Sequence, residues 1–223
     1  MIIAEKLQTI AENEQKVYKA GYDKGAYETE IWDALLGTPE FALDGFKTPN
    51  VVLNLKNQIN IRYLTQNRAN YANQIVKHLT INCPNQVSQA FGMIQRLDNC
   101  LTHLTLNIDF SQIVNAGNII QGAEVLEIVD GVPINWSSCT SSTQNNFGRC
   151  YKLREIRFAP NSLPLQILFG DCSELSDDSV NSIISGLMQL ESTQTIKFHK
   201  TVGEKLTDGQ KSVIALKGWT LAY

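Results

Sequence analysis

A short string, one apolar residue, any two residues and then a cysteine, constrains this chain more than any other feature. It occurs as Leu97-Asp98-Asn99-Cys100, Phe147-Gly148-Arg149-Cys150 and Phe169-Gly170-Asp171-Cys172, with a weaker copy at Trp136-Ser137-Ser138-Cys139. Cys100 is followed at six and eight residues by Leu106 and Ile108, and Cys150 at the same offsets by Ile156 and Phe158. Self-similarity with a period in the twenties predicts a solenoid, in which each unit buries its apolar face only against its neighbours. Such an architecture usually serves as a binding surface.

Composition sets the outer limits. The chain has 223 residues, 43% hydrophobic and 18% charged, so it is globular with room for a real core. The net charge is −3 and no run of Lys or Arg occurs, which argues against nucleic acid as a partner. The opening Met1-Ile2-Ile3-Ala4-Glu5-Lys6 places charge where a secretory leader has its apolar core, so cytoplasmic synthesis without a signal peptide is expected. No stretch approaches the ~18 apolar residues of a membrane span, so membrane insertion is not expected.

Five cysteines are an odd number, and no C-x-x-C pair is present. A metal site or a disulfide competes with burial as a small hydrophobe, and the repeat-equivalent positions favour burial. Cys100, Cys150 and Cys172 are therefore expected to stack in the interior as structural core residues, with no metal and no cofactor.

Along the chain, residues 3–20 read as an amphipathic helix carrying Ile3, Leu7, Ile10 and Val17. A helix this short is marginal alone. It either packs on its own domain or ends a coiled coil through which the chain would form a homo-oligomer. Residues 1–25 are assigned to this helix, and residues 26–50 to an N-terminal cap. In the cap, Ile31-Trp32-Asp33-Ala34-Leu35-Leu36 precedes Gly37, a helix-stop signal. Residues 51–223 form the repeat domain. Its expected strands are Val51–Leu55, Leu79–Asn82, Leu104–Ile108, Leu126–Val129, Leu153–Phe158, Leu165–Phe169, Thr195–Phe198 and Trp219–Tyr223. Ser176-Asp177-Asp178 caps a helix carrying Val180, Ile183, Ile184, Leu187 and Leu190. Thr207-Asp208-Gly209-Gln210 is a capping box for a last helix, which stops at Lys217-Gly218.

Chemistry-bearing motifs are missing. His78, His103 and His199 have no Cys, Asp or His at metal-ligand spacing, and His78 and His103 occupy equivalent places before two strands. Asp177-Asp178 is explained as an acidic first turn. Phosphate-loop, dinucleotide and nucleophile-elbow motifs do not occur. The polar run Ser137–Asn146 reads as a surface loop. The expectation is a protein that is not an enzyme.

Several stretches resemble the BspA-type leucine-rich repeat proteins of gut Firmicutes and their prophages. Cys172-Ser173-Glu174-Leu175 is similar to their Cys-Ser-x-Leu unit. The ending Lys205-Leu206-Thr207-Asp208-Gly209-Gln210-Lys211 with Lys217-Gly218-Trp219-Thr220-Leu221-Ala222-Tyr223 is similar to their common C-terminus. Ala11–Tyr22 resembles the leader helix of the prophage members, and Ile31-Trp32-Asp33 the element that follows it. Residues 50–96 lack the Cys unit, and Cys83 stands directly before Pro84 instead. The resemblance implies an α/β leucine-rich-repeat solenoid, with a strand plus a turn or helix per repeat, an N-terminal helix and capping segments. It also implies an adhesion-like or phage tail-associated role, which would place the protein in a phage particle.

The functional expectation is thus a non-enzymatic module that recognises a protein or glycan. Its surface would be the outward strand positions Thr80, Asn82, Thr105, Asn107, Glu127, Glu155, Arg157, Gln166, Lys197 and His199. The alternative is a structural component of a virion or prophage particle that assembles through its N-terminal helix.

Overall fold

Alternating apolar and polar residues produce strands that pair in parallel and follow sequence order within each sheet. The computed structural model describes residues 28–32, 49–55, 75–90, 92–95, 100–141 and 145–223. The helix expected over residues 3–20, and with it the proposed route to oligomers, lies outside these residues, as does the Leu97 end of the first cysteine string. The described chain is α/β, with parallel sheets and few helices. Its strands are β1 (Glu28–Trp32), β2 (Asn50–Asn54), β3 (His78–Gln86), β4 (Ile94–Gln95), β5 (His103–Asp109), β6 (Ile120–Gln121), β7 (Ile128–Gly131), β8 (Ile167–Phe169), β9 (Gln194–Phe198) and β10 (Trp219–Ala222). The helices are α1 (Asp177–Gly186), α2 (Lys200–Gly203) and α3 (Asp208–Leu216).

The larger sheet has the order β1-β2-β3-β5-β7, a second has the order β10-β9-β8, and β4 pairs with β6. Every pairing is parallel. Register follows burial. Val51, Leu79, Leu104 and Val129 align across four strands, and Leu53, Ile81 and Leu106 align two residues on; all are buried. A slip of one residue would turn each of these side chains to the opposite face. Pro84 lies in β3 where the register shifts between Cys83 and Gln86, in keeping with a residue that has no N–H to donate. At Gly131 the backbone takes φ +97°, and a Cβ there would lie 2.5 Å from the Leu106 carbonyl oxygen, so only glycine closes β7 against β5.

Ile31 and Trp32 belong to β1, paired in register with β2, and the helix stop expected at Gly37 lies outside the described residues.

The cysteine strings are tight turns. The carbonyls of Trp136, Phe147 and Phe169 accept from the N–H groups of Cys139, Cys150 and Cys172 at 2.8, 3.3 and 3.1 Å. The thiols then donate to carbonyls of chain 25 to 30 residues earlier: Cys139 to Val114, Cys150 to Ile120 and Cys172 to Phe147, at 3.5, 3.5 and 3.7 Å. The aromatic residues of the same strings stack. Phe147 and Phe169 lie 4.8 Å apart at 13°, Phe169 and Phe198 6.1 Å apart at 17°, and Trp136 and Phe147 6.2 Å apart at 18°. Phe158 meets Trp136, Phe147 and Phe169 edge-on. One buried core runs from Val51 to Trp219.

Two expected elements differ from the structure. Leu153–Phe158 is not a strand; it makes only isolated parallel bridges, Glu155 with Ile128 and Phe158 with Ile134. Helix α1 lies along its other side, where a strand would have to be. The hydroxyls of Ser179 and Ser182 accept from the N–H groups of Ile156 and Phe158, both at 2.9 Å, and Ser179 also donates to the Arg154 carbonyl at 2.9 Å. Serine side chains thus replace a ladder that a helix cannot offer. Helix α1 itself ends at Gly186, short of the expected Leu187 and Leu190. Leu187 forms a parallel bridge with Leu163, and the Lys217 ammonium donates to the carbonyls of Ile184, Ser185 and Leu187. The expected caps are present: Ser176 accepts from the Ser179 N–H, and Thr207 and Gln210 form a reciprocal box on α3.

Ser179→Ala removes the one acceptor that the described residues provide for the Ile156 N–H. It is expected to destabilise the fold by about 1–3 kcal/mol, the cost of one buried unsatisfied donor. Urea unfolding checks this, and an unchanged midpoint would remove Ser179 from the account.

Candidate functional site

Residues two apart on a strand share a face, and in-register parallel pairing extends each into a row across the sheet. Across β2, β3 and β5 this builds three rows, polar except for Val52 opposite Thr80, and β7 adds Ile128 and Asp130 to two of them. In the first, Asn50, His78 and His103 align, and the two imidazoles lie 5.5 Å apart at 32°. In the second, Thr80 aligns with Thr105 and Thr105 with Asp130. In the third, the Asn82 side-chain N–H donates to the Asn54 side-chain oxygen, and Asn107 donates to Asn82 in turn, each at 2.8 Å. This asparagine ladder ends at Asn107, which is exposed because β7 stops at Gly131, opposite Leu106.

Three described acids at this face, Asp130, Glu127 and Glu155, have basic neighbours. His103 Nε2 lies 2.8 Å from Asp130 Oδ2. Burial opposes ionisation of Asp130, but hydrogen bonds from Thr105 and His103 and the charges of His103 and Arg157 outweigh it and hold the carboxyl below its usual range. Arg154 bridges Glu127 and Glu155. Asp109, at the end of β5, is held below the usual range by the backbone N–H and hydroxyl of Ser111 and by Gln86, against a smaller opposing effect of burial.

The ten sequence-nominated surface residues fall into two groups. Thr80, Asn82, Thr105 and Asn107 stand together in the rows just described. Glu127, Glu155 and Arg157 border them, Glu155 through its bridge to Ile128 and Arg157 through its charge on Asp130. Gln166, Lys197 and His199 belong elsewhere, beside or within the sheet of β8, β9 and β10. His199 is the N-cap of α2, its ring nitrogen accepting from the Thr201 N–H, so it belongs to a helix start and not to a strand. The ten therefore do not make one surface. Asn54, His78, His103 and Asp130 also belong to this face and are not among the ten. The signal available in the sequence was the near-identity of His78-Leu79-Thr80-Ile81-Asn82 and His103-Leu104-Thr105-Leu106-Asn107.

Among the nominated core cysteines, Cys150 and Cys172 are fully buried. Burial pushes the Cys150 thiol up to about 12 and raises that of Cys172 well above its usual value. Cys100 differs: it is half-buried and packs against the core from a turn, while the adjacent Leu101 takes the inward place. Among the described residues, no group of three or more His, Cys, Asp or Glu is placed to hold a metal ion, and no helix is long and apolar enough to cross a membrane. A cleft of about 110 Å³ beside the start of α1, lined by Glu174, Asp177, Lys205 and Gln210 among others, is smaller than the roughly 300–1,000 Å³ of usual small-molecule sites. Comparison with known proteins finds no family model, no characterised protein and no solved structure that this chain matches.

Two outcomes are expected. Thiol labelling of the native protein should modify Cys100 first, with Cys150 and Cys172 reacting only on unfolding; mass spectrometry of the labelled peptides decides the order. Asp130 has a lowered folded-state value, so its stabilisation is full above its unfolded value and lost as pH falls through the folded one. Asp130→Asn should therefore lower the melting temperature at neutral pH, and the gap to wild type should close on acidification below the usual carboxylate value of 3.8. A gap that persists at pH 2 would mean that the charge of Asp130 is not what stabilises the sheet.

Proposed function

We propose that this chain is a non-enzymatic interaction module: a leucine-rich-repeat solenoid that presents the polar face of its parallel sheet to a protein or glycan. The observation that carries this reading is the set of rows across neighbouring strands. Side chains of one type recur at one strand position, Asn on β2, β3 and β5 and Thr on β3 and β5. A periodic array of this kind suits recognition over an extended contact better than enclosure of a metabolite. The solenoid reading is supported by thiol and side-chain hydrogen bonds that link residues 25 to 30 apart along the chain. It is supported as well by the resemblance of the Cys172–Leu175 and Lys205–Tyr223 segments to BspA-type repeats. The phage-associated or adhesion-like role rests on that resemblance.

The test compares wild type with two double variants on a glycan array and on immobilised mucin. Glu155→Ala/Arg157→Ala alters the border of the face, and Lys200→Ala/Glu204→Ala removes an exposed ion pair on α2. Binding reduced at least fivefold by the first and unchanged by the second is the expected result. Binding indifferent to both would move the interaction away from this face.

A further inference from the structure

We infer that His78 and His103 chelate one divalent transition-metal ion, of the zinc, nickel or copper class, across strands β3 and β5. The site is independent of what the sheet face recognises.

Placement is the first argument. Two side chains bind one ion most readily where the backbone already holds them together. Strands β3 and β5 pair in register, with His78 opposite His103 and Leu79 opposite Leu104. The two imidazole centroids stand 5.5 Å apart, with the rings tilted by 32°. A zinc ion about 2.0–2.1 Å from one nitrogen of each ring would set the centroids roughly 5–5.5 Å apart at a near-tetrahedral angle. A shared ion therefore needs only rotation about side-chain bonds and no shift of either strand. His78 is exposed and His103 half-buried, so the pair is open to an ion from solvent. Glu28 occupies the same row by register, beyond Asn50, and adds negative charge to that side of the sheet.

The second argument is the state of His103. Its Nε2 lies 2.8 Å from Asp130 Oδ2. The Asp130 carboxyl is held below its usual range, so at neutral pH it is ionised and only accepts. Nε2 then carries the proton, and the lone pair of the neutral ring stands on Nδ1. A carboxylate behind one ring nitrogen is the common support for a histidine that ligates through the other. It fixes the tautomer and raises the basicity of the ligating atom.

Ligand chemistry selects the metal. Imidazole nitrogens suit zinc, nickel and copper, whereas calcium and magnesium require sets of oxygen ligands. Among the described residues no third His, Cys, Asp or Glu completes a ligand group, so water fills the remaining positions of the ion. The two histidines lie 25 residues apart in the chain, outside every short metal-ligand spacing, and only strand pairing brings them together.

Isothermal titration with zinc chloride at slightly alkaline pH, where imidazole is neutral, tests this. Cys100→Ser serves as the parent, so that the half-buried thiol does not compete for the metal. One ion per chain is expected, with calcium and magnesium binding at least a hundredfold more weakly. His78→Gln and His103→Gln should each weaken zinc binding at least tenfold, because either change removes the chelate. His199→Gln should leave it unchanged, and circular dichroism melting checks the fold of each variant. Imidazole proton NMR of the parent serves if a variant does not fold: the His78 and His103 signals should shift together with the first equivalent of zinc while that of His199 stays. Two ions per chain, falling to one in either variant, would mean separate single-histidine sites and overturns the inference. So do an absence of zinc binding, zinc binding that both variants retain, and calcium binding as tight as zinc. None of these results bears on the sheet face as a recognition surface.

Discussion

Parallel hydrogen bonding between neighbouring stretches of chain, held to one register, is the constraint on which everything else rests. Parallel strands need a long connection between them, and along β1, β2, β3, β5 and β7 the chain comes back each time beside the previous strand of the same sheet. The apolar rows Val51-Leu79-Leu104-Val129 and Leu53-Ile81-Leu106 make any other register costly, because a slip would carry several large side chains out of the core together. Once that register holds, the polar residues between them align as well. The asparagine ladder, the threonine row and the imidazole pair follow from the alignment of leucines behind them.

Turn chemistry supports this alignment from the opposite side. In each aromatic-x-x-Cys turn the aromatic carbonyl closes the turn, the ring stacks on the ring of another turn, and the thiol reaches a carbonyl from earlier in the chain. Cysteine suits the position because it is small and apolar enough to bury completely yet still carries a weak donor. The buried Cys150 and Cys172 thiols stay protonated, which keeps that donor in place and the sulfur inert. Where strand pairing stops, other groups take over the same task. Ser179 and Ser182 of α1 satisfy the edge that Leu153–Phe158 presents, and Lys217 satisfies the carbonyls at the end of α1. The polar face described above lies N-terminal to this change from strand to helix.

Local signals account for what was legible in the sequence. Apolar–polar alternation marked β3, β5 and β9, and a short apolar run marked β2, within a residue or a few at each end, and side-chain capping marked the starts of α1 and α3. These are short-range effects, set by pleat geometry and by hydroxyl-to-backbone hydrogen bonds, so the sequence carries them in full. Repetition of the cysteine strings indicated that their side chains turn inward, and Cys150 and Cys172 do. Cys100 is only half-buried, packed against the core beside the fully buried Leu101.

The rest was decided by partners distant in sequence. Leu153–Phe158 has the alternation of a strand, but whether it becomes one depends on what lies on both its sides, and a helix lies on one. Lys197 and His199 look like outward strand positions, yet they sit with β9 and α2, away from the face of β3 and β5. His78 and His103 carry no motif that marks them singly; only the alignment of β3 with β5 sets their rings together, and only the closure of β7 at Gly131 brings Asp130 to His103. The sequence by itself determined the periodicity, the inward and outward faces and the caps, because each is written in neighbouring residues. The tertiary structure alone decided which polar residues stand side by side, because hydrogen bonds between chain segments some 25 residues apart set that adjacency.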